Sequence, residues 1–152
     1  QGILNLKPEF TTLHISGGSE MIRDCVNIKN SNQSKTNLIG VTVLTSFDEV
    51  RIKEVGIHNS INDQVLILAK LANENNLDGI VCSPQEIKRI KQETENKLKL
   101  IVPGIRNIDD DTNDQKRTMN ASEAINAGAD ILVIGRPITM ANDPAEAAYK
   151  IF

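Results

Sequence analysis

Cysteine is scarce in this chain, and the two present, Cys25 and Cys82, stand far apart with no Cys-x-x-Cys pair. That spacing offers neither a zinc site nor a disulfide framework, so reduced thiols in a cytoplasmic protein are the expectation. Long hydrophobic runs are missing as well. Apolar runs such as 65–69 (VLILA) and 131–134 (ILVI) fall far short of the roughly 20 residues that cross a bilayer. Positive charge is not in excess: 17 Lys and Arg face 20 Asp and Glu, and the pI is near 5.4. No basic face for nucleic acid is therefore expected. No His, Asp and Glu set has metal-ligand spacing, and no metal site is expected. An initial Met is also lacking. The chain opens on Gln1, no signal-like segment follows, and 1–7 (QGILNLK) resembles the tail of a helix. The expectation is a piece of a longer chain.

What is present suits one domain spanning residues 1–152. The 16.7 kDa chain is 39% hydrophobic and 24% charged, enough for a real core. Five short apolar runs predict strands: 11–15 (TTLHI), 38–44 (LIGVTVL), 78–82 (DGIVC), 98–102 (LKLIV) and 130–134 (DILVI). Their near-continuous apolar character predicts a parallel sheet covered on both faces. Helices are expected between them, at 19–29, 47–54, 62–75 and 84–94. Pro84 starts the last of these. Asn120-Ala-Ser-Glu123 resembles a capping box with Gly128 past the helix end, and Asp143-Pro144 caps a final helix running to 152.

Alternating strands and helices mean βα units with right-handed crossovers. An open doubly wound sheet and a (β/α)8 barrel both fit. The dinucleotide fingerprint needs a third glycine after the first strand, and Ser16-Gly17-Gly18 lacks it. The chain's end favours the barrel. There a strand runs into Gly135-Arg136-Pro137. Gly135 lets backbone approach a ligand closely, and Arg136 offers a planar fork suited to phosphate oxygens. Barrel enzymes often hold phosphate in the loops after their last two strands. The plainer alternative is a glycine-assisted turn carrying a surface arginine.

One strand earlier, Val102-Pro103-Gly104-Ile105-Arg106 leads into a long polar tract ending near Thr118. Its length suggests function. Its aspartates would repel a phosphate, so contacts are expected from Arg106, Gln115 or Arg117. The alternative is an acidic surface loop.

These segments together resemble orotidine 5′-phosphate decarboxylase of the bacterial form. The resemblance rests on HISGG at 14–18, VTVLTS at 41–46, LDGIVCS at 77–83, PGIR at 103–106, DQKR at 114–117, and the stretch 128–139. It covers the chain from about Phe10 to Ala147. It implies a (β/α)8 TIM barrel, of which this chain would supply five βα units, strands 4 to 8. Thr45 would contact the pyrimidine, and Pro103 would lie against the base edge. Arg106, Gln115, Gly135 and Arg136 would hold the phosphate and help fold the 104–118 loop over it. The implied ligand is a small nucleotide, orotidine 5′-monophosphate or uridine 5′-monophosphate, in a homodimer that needs no cofactor.

The family's Asp-x-Lys-x-x-Asp cluster is absent from this sequence. The resemblance places it upstream of Gln1, so no catalytic residue is assigned here. Many bacterial relatives have Pro where Asn107 stands and Gly where Asn113 stands. Other readings stay open: a sugar-phosphate decarboxylase or isomerase on the same barrel, or a truncated remnant without catalysis. Among the remaining residues, His14, at a strand end facing the barrel mouth, is expected to be a satisfied structural histidine, with a polar lining residue as the alternative, and His58 to be solvated. Cys82 is expected in the core, and 88–91 (KRIK) as a solvated face.

Overall fold

A computed structural model describes residues 2–106 and 117–151. The five expected strands form, as β1 (Phe10–His14), β2 (Asn37–Val41), β3 (Gly79–Val81), β4 (Lys99–Val102) and β5 (Ile131–Leu132). All pair in parallel, in the spatial order β1-β2-β3-β4-β5. Each crossover therefore steps in the same direction. A doubly wound sheet would reverse at a switch point; an unreversed progression is that of a barrel wall.

The helices are α1 (Gly18–Ser31), α2 (Arg51–Glu54), α3 (Ile61–Glu74), α4 (Ile87–Glu93), α5 (Ala121–Ala127), α6 (Arg136–Thr139) and α7 (Pro144–Lys150). Consecutive long helices pack on one another, α1 on α3, α3 on α4 and α4 on α5. Alternate strand residues Leu38, Ile80, Cys82, Leu100 and Val102 share one core with Ile22, Val65, Leu68, Ala69, Ile87 and Ile90 of these helices. Ile39 and Ile101, buried on the intervening positions, are not part of that cluster. Strand alternation thus separates a helix-packed face from an inner face.

Local chemistry explains most boundaries. Ser60 Oγ accepts from Asp63 N–H to start α3. Asn120 and Asp143 do the same for α5 and α7, and Gly128 (φ +112°) ends α5 in the left-handed region. The helix expected over 47–54 is shorter, because the Asp48 carboxylate accepts from the backbone N–H of Val50 and Arg51 and begins the turn there. α7 stops at Lys150, and the tail-like 1–7 contains a 3₁₀ turn, Gly2–Leu6. Coverage on both faces holds for β2 and β4 but fails for β1, whose Phe10, Thr12 and His14 are exposed. Among the described residues β1 borders only β2.

A repeated ion-pair device pins the register at the N-terminal edge of the sheet. Asp78, just before β3, accepts from Leu38 N–H of β2 and pairs with Lys29 of α1. Asp130, just before β5, accepts from Leu100 N–H of β4 and pairs with Lys91 of α4. The KRIK face is therefore solvated only in part, since Ile90 is buried and Lys91 is engaged.

Candidate active site at the C-terminal edge of the sheet

Parallel pairing carries every strand's exit to one edge. The register puts His14 beside Val41, Val41 beside Val81, Val81 beside Ile101 and Ile101 beside Ile131, one continuous row. Thr45, Pro103, Arg106, Gly135 and Arg136 all follow that row by a few residues, so the topology gathers them at the same edge. In open or closed parallel α/β sheets this is the edge that binds ligands. Gln115 lies outside the described residues.

The turn after β2 carries Thr45. Strand pairing was expected to continue to 44 but stops at Val41. Beyond it, the Thr42 hydroxyl donates to the Val81 carbonyl at 2.7 Å, with the Thr42 N–H at 3.4 Å from the same oxygen. The chain then turns, Phe47 N–H donating to the Leu44 carbonyl at 2.9 Å. Thr45 sits half-buried inside that turn.

After β4, Pro103 is half-buried and Arg106 is 9% exposed. Arg106 N–H donates to the Met119 carbonyl at 3.0 Å, and Met119 N–H reaches the Gly104 carbonyl at 3.4 Å. Ile105 and Met119 thereby form a short parallel bridge. The Arg106 side chain donates Nη1 to the carbonyl of Ile105 at 2.7 Å.

Arg117 departs from expectation. One of three residues expected to offer a phosphate contact, it is instead buried against the protein. Nη1 pairs with Glu86 Oε1, and Nη2 donates to the Leu44 carbonyl at 3.1 Å. Burial lowers its pKa from the ordinary value, opposed by the charges of Cys82 and Glu49. Its Nε has no hydrogen-bond partner among the described residues. Glu86 itself was missed at the sequence level. The signal was there in Ser83-Pro-Gln-Glu86, a capping box in which Glu86 Oε2 accepts from the Ser83 N–H at 2.8 Å.

After β5 the chain passes through Gly135 into α6, opened by Arg136 with Pro137 next. Gly135 O accepts from Ile138 N–H and Thr139 N–H. Its φ of −105° does not call for glycine, and a Cβ built there meets nothing within 4 Å. Packing does not exclude a side chain at this exposed position. Arg136 is half-buried beside it.

His14 also ends its strand at this edge, but it is exposed, not the satisfied structural histidine expected. It shares the exposed face of β1 with Phe10 and Thr12. His58 is exposed, as expected. Cys82 is wholly buried at the end of β3, and burial pushes its thiol up from 9.0 to about 12. Half-buried Cys25 is therefore expected to react first with a thiol reagent at pH 8, with Cys82 reacting only on unfolding. Simultaneous labelling of both in the native protein would contradict the burial. Between pH 9.0 and about 12 the unfolded thiol ionises while the folded one stays protonated, so this group's contribution to stability falls as pH rises through that window.

Concave surfaces of about 690 Å³ and 750 Å³ lie at the opposite edge, lined by residues such as Pro8 and Thr36, and Asp78 and Lys99 respectively. Neither includes a residue of the C-terminal edge.

Comparison with known proteins gives a consistent result. A family model described as "Orotidine 5'-phosphate decarboxylase / HUMPS family" matches residues 4–151. A protein of Ehrlichia chaffeensis named orotidine 5′-phosphate decarboxylase is 49% identical over 150 residues, covering 98% of this chain and 64% of that one. One of Dictyoglomus thermophilum with the same name is 45% identical over 155 residues, with the same two coverages. The crystal structure of orotidine 5′-phosphate decarboxylase from Lactobacillus acidophilus matches with a TM-score of 0.77 at 34% identity, covering 98% of this chain and 64% of that one. The chain thus spans about 64% of the length of these relatives, and its five parallel βα units are a sector of their (β/α)8 barrel.

Proposed function

Because the chain belongs to the orotidine 5′-phosphate decarboxylase / HUMPS family, we propose that the full-length protein converts orotidine 5′-monophosphate to uridine 5′-monophosphate in pyrimidine biosynthesis. What carries the reading is the shared name of relatives that align over nearly the whole chain.

In this reading the C-terminal edge grips the two ends of a nucleotide. Thr45 and Pro103 face the pyrimidine. Arg106, Gln115, Gly135 and Arg136 face the phosphate, two guanidiniums opposing a dianion. The open space in front of Gly135 supports close backbone approach to an anion. In the reaction the bond between the ring carbon and its carboxylate breaks, CO2 leaves, and the ring carbon takes up a proton. The proton donor is the lysine of the family's Asp-x-Lys-x-x-Asp cluster. That motif does not occur in these 152 residues, and we place it in the length of the relatives that this chain does not span. The residues present bind and orient. Remote phosphate binding then contributes to lowering the barrier at the reacting carbon. We further propose a cytoplasmic homodimer without a cofactor.

The family description also names HUMPS, which keeps a sugar-phosphate reaction as the second reading. A sugar offers no planar ring for the Thr45 and Pro103 pair. The test is loss of the orotidine chromophore followed in the ultraviolet. Full-length protein is expected to turn over, and the 152-residue chain alone is expected not to. Turnover by the 152-residue chain would overturn placement of the acid elsewhere. A full-length protein that acts on sugar phosphates and leaves orotidine 5′-monophosphate intact would overturn the decarboxylase reading.

A further inference from the structure

Arg117 has no part in the two grips described, yet it holds one of the most buried charges of the described residues. Arg117 is 9% exposed and its partner Glu86 only 4%. Burying two charges is costly, and their attraction repays that cost only when the geometry is good and the remaining polar atoms are satisfied. Such a pair calls for a structural reason.

The partners supply one. Nη1 goes to Glu86, in the turn after β3, and Nη2 goes to the Leu44 carbonyl, in the turn after β2. Leu44 is the residue immediately before Thr45. The second Glu86 oxygen accepts from Ser83 N–H, so both turns are tied to one carboxylate–guanidinium unit. On its own segment Arg117 lies two residues before Met119, whose carbonyl receives the Arg106 N–H at 3.0 Å. A continuous path therefore runs from the Thr45 turn through Arg117 and Met119 to Arg106. A planar fork serves two acceptors from two nitrogens at once, whereas lysine is a single point donor.

We infer that Arg117 is a positioning residue, clamping the Thr45 turn against the Ser83–Glu86 turn and so setting Thr45 at a fixed separation from Arg106. This rests on the nucleotide reading, in which Thr45 meets the base and Arg106 the phosphate. With both Nη atoms committed inside the protein, Arg117 acts through its neighbours and not on the ligand.

The test compares full-length wild type with Arg117→Lys and with the paired Glu86→Gln/Arg117→Met variant, which leaves no lone buried charge if the single change prevents folding. Calorimetry measures binding of uridine 5′-monophosphate and of inorganic phosphate, and amide exchange is read at Phe47 and Ser83. Both variants are expected to bind the nucleotide about tenfold more weakly, the worth of roughly one lost hydrogen bond. Phosphate binding should be unchanged, and exchange at Phe47 and Ser83 should be faster while β1 and α1 amides hold their rates. Equal losses for nucleotide and phosphate would make Arg117 a direct anion contact and overturn the inference. So would unaltered nucleotide binding, or unaltered exchange at Phe47 and Ser83. A wild type that binds no uridine 5′-monophosphate would sink the nucleotide reading, and the exchange rates would then decide the clamp by themselves.

Discussion

In the full-length protein, Arg136→Ala is expected to lower kcat/KM for orotidine 5′-monophosphate by roughly a hundredfold. A charge-assisted hydrogen bond to a ligand anion is worth about 1.5–3 kcal/mol, and each 1.4 kcal/mol is a factor of about ten. The backbone around it should survive the change. Gly135 O accepts from Ile138 and Thr139, and Arg136 O accepts from Met140, and none of these bonds uses the Arg136 side chain. Inhibition by inorganic phosphate should weaken in the same variant. Steady-state kinetics with both ligands checks this, and undiminished activity would remove Arg136 from the phosphate grip.

The second large effect concerns stability. Arg117→Met by itself leaves the Glu86 carboxylate, 4% exposed, without its cation. Breaking a buried pair from one side costs about 3–5 kcal/mol, a large part of the stability of an ordinary domain. Adding Glu86→Gln removes the stranded charge and should restore most of that loss. Urea unfolding midpoints of the two single variants and the pair form the cycle that measures it. A single-variant loss below about 1 kcal/mol would mean that the pair behaves like a surface ion pair.

Much of the fold was legible in the sequence because its signals are local. The five apolar runs became the five strands, within a few residues, since each needs only its own β-forming side chains. Asn120, Asp143 and Gly128 marked helix ends because caps act within a single turn. The Gly135-Arg136-Pro137 turn was legible for the same reason. The errors have a common origin. Asp48 shortened a helix by bonding to the amides just ahead of it, an alternative that apolar spacing does not reveal. His14 was expected to be satisfied in a covered strand, but it lies with Phe10 and Thr12 on an exposed face of β1. Arg117, offered by its charge as one of three possible phosphate contacts, found Glu86 at a separation of 31 residues.

By itself, then, the sequence determined that two cysteines build no disulfide framework, that no run is long enough for a membrane helix, and that strands alternate with capped helices. Those properties depend on composition and on contacts within a few residues. Only the tertiary structure decided between barrel wall and doubly wound sheet, because strand order is a relation between segments. It alone decided which side of each strand faces the helices, and which groups the two buried arginines, Arg106 and Arg117, meet. Arg106, Arg117 and Arg136 are chemically identical side chains near one sheet edge. The environments of Arg106 and Arg117 come from what the fold places opposite each one: the Ile105 carbonyl for the first, the Glu86 carboxylate with the Leu44 carbonyl for the second.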